Sequence, residues 1–275
     1  MLFTRSLQMH VGLLFHKRSF KVCCYLVLLY VLLTYLHYVF LFIGEDVSNM
    51  YSAATLYAGR YGVRYYGYFI RIYPLFIVFP SAFLFLTDRN SGICPLFQTR
   101  TGVAQYYWAK VAAGFIGGFF VIFIPFLIGL LLNIITFPLH SPAIIENWGT
   151  FTEEYNEFVR DYLFASLYVK HPYGYMVLLL FWFSAFSGIL SSFLIAISFS
   201  IKKYKVFLLL PVYLIITASI ILTNQFPFHT YLMFYVFACD LNTKSALYFL
   251  LLLTAFVMST IHLTFRQIRK YDQLS

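Results

Sequence analysis

VAAGFIGGFFVIFIPFLIGLLLNIIT, residues 111–136, decides the fold class. No charged residue interrupts it. A helix needs about 20 apolar residues to cross a hydrocarbon core of about 30 Å, and this run exceeds that. Pro125 does not break the reading, because neighbouring helices in a membrane bundle can satisfy the carbonyl it frees. The whole chain has the same character. Its 275 residues are 61% hydrophobic, 22% aromatic and 11% charged, against about 25% charged in soluble domains. Its mean hydropathy is +0.80. A water-soluble fold of this composition would expose wide apolar patches and aggregate. The sequence predicts an all-α polytopic membrane protein with a single transmembrane domain over 1–275.

Working outward, six segments are apolar enough to span: 22–43, 68–87, 111–136, 174–200, 206–223 and 245–265. The second carries Pro74 and Pro80, with Arg71 near its outer end, and the fifth is short and contains Pro211. No small-residue cleavage site follows the first apolar run, so that run is expected to be retained as a span. Loop charge sets the direction. With both termini in the cytoplasm, the inner segments 1–21, 88–110, 201–205 and 266–275 hold 13 of the 19 Lys and Arg residues but only two of the ten acids, Asp88 and Asp272. The net charge of +9 therefore reads as topology and lipid-headgroup contact rather than nucleic-acid binding.

Four segments outside the expected spans have local patterns. Residues 1–21 place Leu7, Val11, Leu14 and Phe15 at helical spacing before a basic cluster, which fits an amphipathic helix on the inner surface or a basic flank to the first span. The outer loop 44–67 is rich in tyrosine, with Arg60 and Arg64 four apart, as suits interfacial anchoring. In the acidic loop 137–173, Thr150 and Glu153 fit a capping box. Phe151, Tyr155, Phe158 and Tyr162 then predict an extracellular amphipathic helix. Residues 224–244 include an apolar run too short to span.

Chemistry inside the spans is sparse. They contain no Asp, Glu or Lys, whereas carriers coupled to protons or sodium use buried carboxylates or broken-helix ion sites. His37 and His262 are the titratable candidates. No HExxH, GxSxG or GxxxxGK[ST] pattern occurs. The pair Glu153-Glu154 resembles the start of the glutamate motif of CAAX-type intramembrane proteases, but Arg160 is misplaced and the pair lies in an outer loop, away from any span histidine that could partner it. The four cysteines form no metal-ligand spacing. The sequence thus predicts no catalytic residues, no metal site and no bound cofactor. Small residues recur at intervals of four: Gly114 and Gly118 in the third span, and Ser184, Gly188, Ser192 and Ala196 in the fourth. Such stripes allow helices to approach closely, for packing, for a subunit contact or along a path.

Before the opening run lies DRNSGICPLFQTRTGVAQYYWAK, residues 88–110, the long polar loop of the cytoplasmic side. Its Asp88-Arg89-Asn90-Ser91-Gly92, Arg100-Thr101, Tyr106 and Lys110, with Gly114 beyond, resemble the corresponding loop in permease subunits of ATP-binding-cassette transporters of the type-2 permease family. The general plan is similar too: a basic N-terminal surface helix, six spans, both ends inside and no ATPase in the chain. The resemblance implies a docking helix in this loop that seats on a separate ATPase subunit. Gly92 and Pro95 would end the second span and start that helix. It is expected over 96–108, with Phe97, Tyr106, Tyr107 and Trp108 as apolar anchors and Arg89, Arg100 and Lys110 as charged contacts.

The expected function is therefore that of a permease subunit of an exporter in a bacterial plasma membrane. It would pair with a second permease chain, identical or related, and with two ATPase chains that bind ATP and magnesium. The loop 201–205 is too short to dock much, so the N-terminal helix and 88–110 would carry the contact. The alternatives are a non-transporting membrane sensor or assembly module, and an intramembrane enzyme.

Overall fold

The computed structural model describes residues 2–47, 50–57, 69, 72–139, 165–200, 210–211, 213–214 and 243–272. They are helical throughout, with no strand among them. In chain order the helices are α1 (Leu2–His16), α2 (Arg18–Leu41), α3 (Ala53–Tyr57), α4 (Phe83–Asn90), α5 (Cys94–Thr101), α6 (Val103–Thr136), α7 (Ala165–Lys170), α8 (Pro172–Ser198) and α9 (Thr243–Asp272). Residues 72–77 are also helical and run into α4 through a π-helical turn, Val78–Ala82. That turn holds Pro80, which has no N–H to give to an α-helical ladder.

Three helices are long and apolar enough to cross a membrane: α2, α6 and α8. They match the first, third and fourth expected spans, and α9 covers the sixth. The fifth, 206–223, lies largely outside the described residues, as do Arg60, Arg64 and Arg71, the loop 201–205, the amphipathic helix from Thr150 to Tyr162, and nearly all of 224–244. At 34 residues, α6 is about 51 Å long, well beyond the roughly 30 Å that a span requires.

Contacts give the relative directions. Along α2, Val31 sits against Gly129 and Tyr35 hydrogen-bonds Thr136, so α2 and α6 are parallel. The second segment runs the other way, with Phe69 against Phe126 and Phe85 against Tyr107. Helix α8 is antiparallel to α6: Tyr175 and Met176 cluster with Leu130, and Phe199 stacks edge-on to Tyr107. Phe193 meets Phe256 and Trp108 meets Phe265, so α9 runs in the same direction as α8. Helix α9 therefore begins at the end of the bundle where α8 began.

The small-residue stripes form the α6–α8 seam. A Cβ on Gly118 would lie 2.6 Å from Ser191 Cβ and 2.7 Å from the Ser187 carbonyl, and one on Gly188 would lie 2.8 Å from the Phe115 carbonyl. Gly114 abuts Ile195, and the Ser192 hydroxyl donates to the Val111 carbonyl at 3.0 Å. Ser184 and Ala196 are fully buried on the same helix. Lipid tails are as apolar as leucine, so close backbone approach and interhelical hydrogen bonds hold such a seam. All six stripe residues are used in packing within the chain.

Of the expected apolar stripe of the N-terminal helix, Leu14 is buried and Leu7, Val11 and Phe15 are half-buried. Helix α1 packs on α6, and Ser6, His10 and Leu14 are buried one turn apart. Leu14 fills the space left by Gly117. Ser6 Oγ finds no hydrogen-bond partner among the described residues, whereas His10 faces inward on a polar partner that α6 offers.

Candidate functional site

That partner belongs to the elbow joining the second segment to α6. The elbow begins with a Schellman turn. Gly92 takes φ +69°, the Ile93 N–H reaches the Asp88 carbonyl and the Gly92 N–H reaches that of Arg89, each at 3.2 Å. Pro95 lies in the first turn of α5, where its missing N–H costs nothing. Gly102 then ends α5 and starts α6. Its N–H bonds the Gln98 carbonyl at 2.9 Å, and its own carbonyl accepts from the Tyr106 N–H at 3.0 Å. Its φ of +85° with ψ of 144° is a conformation essentially restricted to glycine.

This second break corrects the expected docking helix. It covers Cys94–Thr101 instead of 96–108, and Tyr106, Tyr107 and Trp108 belong to α6. Tyr106 and Lys110, expected as surface contacts, are completely buried. Lys110 forms a salt bridge with Asp88, which is 13% exposed, and so ties the end of α4 to the start of α6. The Tyr106 hydroxyl donates to the same Asp88 oxygen at 3.5 Å, and its ring lies 5.4 Å below the Lys110 ammonium.

Helix α1 closes this clamp. The Lys110 Nζ sits 3.4 Å from His10 Nδ1. Lysine can only donate, so Nδ1 accepts and the imidazole is neutral, with its proton on Nε2. Burial, then the charges of Lys110 and Lys17, hold the His10 pKa down to about 3. The His10 ring stands edge-on to Tyr106 at 5.2 Å and to Phe97 at 6.0 Å. Below it, Gln98 donates to the Tyr107 hydroxyl at 3.3 Å, and the Cys94 thiol is raised chiefly by burial. A buried ion pair resists separation and so fixes geometry. Burial lowers the Lys110 pKa to about 8 against the pull of Asp88, and beside the pair His10 Nε2 and Ser6 Oγ have no hydrogen-bond partner among the described residues.

The other face of α5 is open. Ile93, Leu96, Thr99 and Arg100 are exposed, Leu96 at 62%. Arg89 and Phe97 are half-buried and Gly92 is exposed. The elbow thus has a clamped inner side and an outer side with apolar and cationic side chains. Arg89, Gly92, Phe97 and Arg100, expected in the docking loop, lie in this elbow; His10 and Gly102 were not among the expected residues. His37 and His262 are both exposed and join no cluster of metal ligands among the described residues. No family model, curated protein or solved structure matches this chain.

Proposed function

We propose that this chain is the membrane-spanning permease subunit of an ATP-binding-cassette exporter, and that the exposed face of α5 seats on a separate ATPase. The observation that carries the reading is the elbow itself. An eight-residue helix presents Leu96 and Arg100 outward while the Asp88–Lys110 pair couples it to two apolar segments. A partner that pushes on α5 moves α4 and α6 together, because a buried charge pair resists separation. Leu96 supplies an apolar anchor and Arg100 a planar cation, the kinds of group that dominate protein contacts when desolvated. The basic excess at this end supports a cytoplasmic orientation, where ATP is available. ATP and magnesium bind in the partner; a second permease chain completes the path across the bilayer.

Purification of the tagged chain in mild detergent tests this. An ATPase accompanies the wild type, and Leu96→Glu or Arg100→Glu releases it while the permease still folds, since both side chains are exposed. Unchanged retention in both variants would overturn the docking face. Absence of any ATPase would favour a non-transporting membrane module. A cysteine replacing exposed Ser91 reports the side: impermeant reagent in intact cells leaves Ser91→Cys unlabelled.

A further inference from the structure

Between α2 and the second segment lies an open groove of about 490 Å³. Its floor includes Cys23 and Phe76, which are buried. Its walls include Val22 and Leu26 on α2 and Ile72 and Phe79 opposite, all exposed. No charged residue lines it. From Ser19 to Leu33 the groove follows α2 for about 21 Å, more than the roughly 15 Å of hydrocarbon in one leaflet. An acyl chain on a convex helix face is held on one side. One in this groove is held on two, and each side adds dispersion contacts. The end at Ser19 is cationic. Arg18 stands one turn before Val22, so it lies beneath the exposed wall of α2, and Lys21 follows in the same first turn; both are exposed. No acid occurs before Glu45, which lies beyond the other end of α2. Asp88 in the elbow is held by Lys110, and neither Arg18 nor Lys21 has an ion-pair partner among the described residues.

We propose that this groove seats one anionic phospholipid, with an acyl chain between α2 and the second segment and its phosphate against Arg18 and Lys21. The phosphate oxygens accept charge-assisted hydrogen bonds from the guanidinium and the ammonium. The start of α2, which no side chain caps, adds partial positive charge at the same place. Cations beside a span draw anionic lipids. A zwitterionic lipid brings an ammonium along with its phosphate and gains less. A second copy of this chain fits poorly, because a two-fold axis along the bilayer normal would set Arg18 and Lys21 against their own copies. The assignment needs only a chain that spans a membrane and stands apart from any ATPase partner.

Native mass spectrometry tests this on the purified chain, reconstituted in vesicles of equal parts phosphatidylglycerol and phosphatidylcholine and then released into mild detergent. Phosphatidylglycerol stays bound in preference to phosphatidylcholine. Arg18→Gln and Lys21→Gln each weaken its retention roughly fivefold and the double variant roughly thirtyfold, the weight of one and two cations near an anionic headgroup. Leu26→Trp fills the groove but leaves both cations, and it abolishes retention. The replaced side chains are all exposed, and an unchanged Tm in detergent checks that the variants fold. Ile72→Trp, on the opposite wall, serves if Leu26→Trp does not. Equal retention of the two lipids by the wild type, or an unaltered preference in the double variant, would overturn the proposal and leave only lipid that surrounds any span. Phosphatidylglycerol kept in Leu26→Trp would overturn it in favour of headgroup attraction alone. A dimer that Leu26→Trp splits, with no lipid retained, would overturn it and give the groove to a second copy.

Discussion

The two ends of the bundle handle buried polarity in opposite ways. At the α5 end, two full charges and an imidazole are out of water, yet Asp88 and Lys110 satisfy each other and His10 lends its lone pair. At the far end Asn133 is buried as a neutral amide, and its Oδ1 has no hydrogen-bond partner among the described residues. Unpartnered atoms occur at both ends, since Ser6 Oγ, His10 Nε2 and Gln105 Oε1 lack a partner at the α5 end. What distinguishes the two ends is charge: one is held by an ion pair, the other by neutral groups.

The hardest blow to the comparison is Lys110→Ala. It strands Asp88 in a mostly buried position and should cost about 3–5 kcal/mol. Asp88→Asn combined with Lys110→Met should recover much of that, because the pair is then replaced rather than broken. Thermal unfolding of the two singles and the double in detergent measures the coupling, and additive losses would show that the clamp is not a unit.

Acid attacks the same end next. His10 is held neutral down to about pH 3 in the folded chain, whereas an unfolded histidine takes a proton near 6.5. Between those values the unfolded state binds more protons, so stability falls as pH falls. By pH 5 the loss is about 2 kcal/mol. Hydrogen exchange along α1 should rise over this range in the wild type and stay flat in His10→Gln.

Smaller still is Gly102→Ala. Its backbone conformation is strained for any side chain, and the new Cβ would lie 3.0 Å from Gln105 Oε1. A loss of about 1–3 kcal/mol is expected, together with weaker retention of an ATPase because α5 would turn relative to α6. At the far end, Asn133→Leu should change stability by less than about 1 kcal/mol, since an unfilled acceptor is removed along with one modest hydrogen bond. A loss as large as that of Lys110→Ala would show that a neutral buried amide weighs as much as the ion pair.

Much of this fold could be read from the chain because apolar runs of span length have few other uses. The start of the elbow was legible too, since Gly92 and Pro95 announce a stop and a start. Gly102 was not, because a glycine ahead of an apolar helix is common and its φ is set by where α5 has to point. The inward face of α1 escaped because periodicity counts apolar residues, and Ser6 and His10 are polar; His10 is buried on account of Lys110, a hundred positions away. A usable signal was present all the same: Asp88 ends one apolar segment and Lys110 begins the next, opposite charges that the hairpin brings together. The burial of Asn133 gave no signal, because the helices that cover it meet only in space.

The π turn at Val78–Ala82 has a consequence for that charge pair. Each residue of a helix advances its side chains by about 100° around the axis, and a π turn accommodates one residue more than the α ladder has room for. Asp88 therefore faces Lys110 by virtue of angular phase as much as of sequence position. Deleting a single residue inside the turn would let the helix relax to uniform winding and swing the carboxylate a quarter-turn off its target, leaving both charges in place and unable to meet.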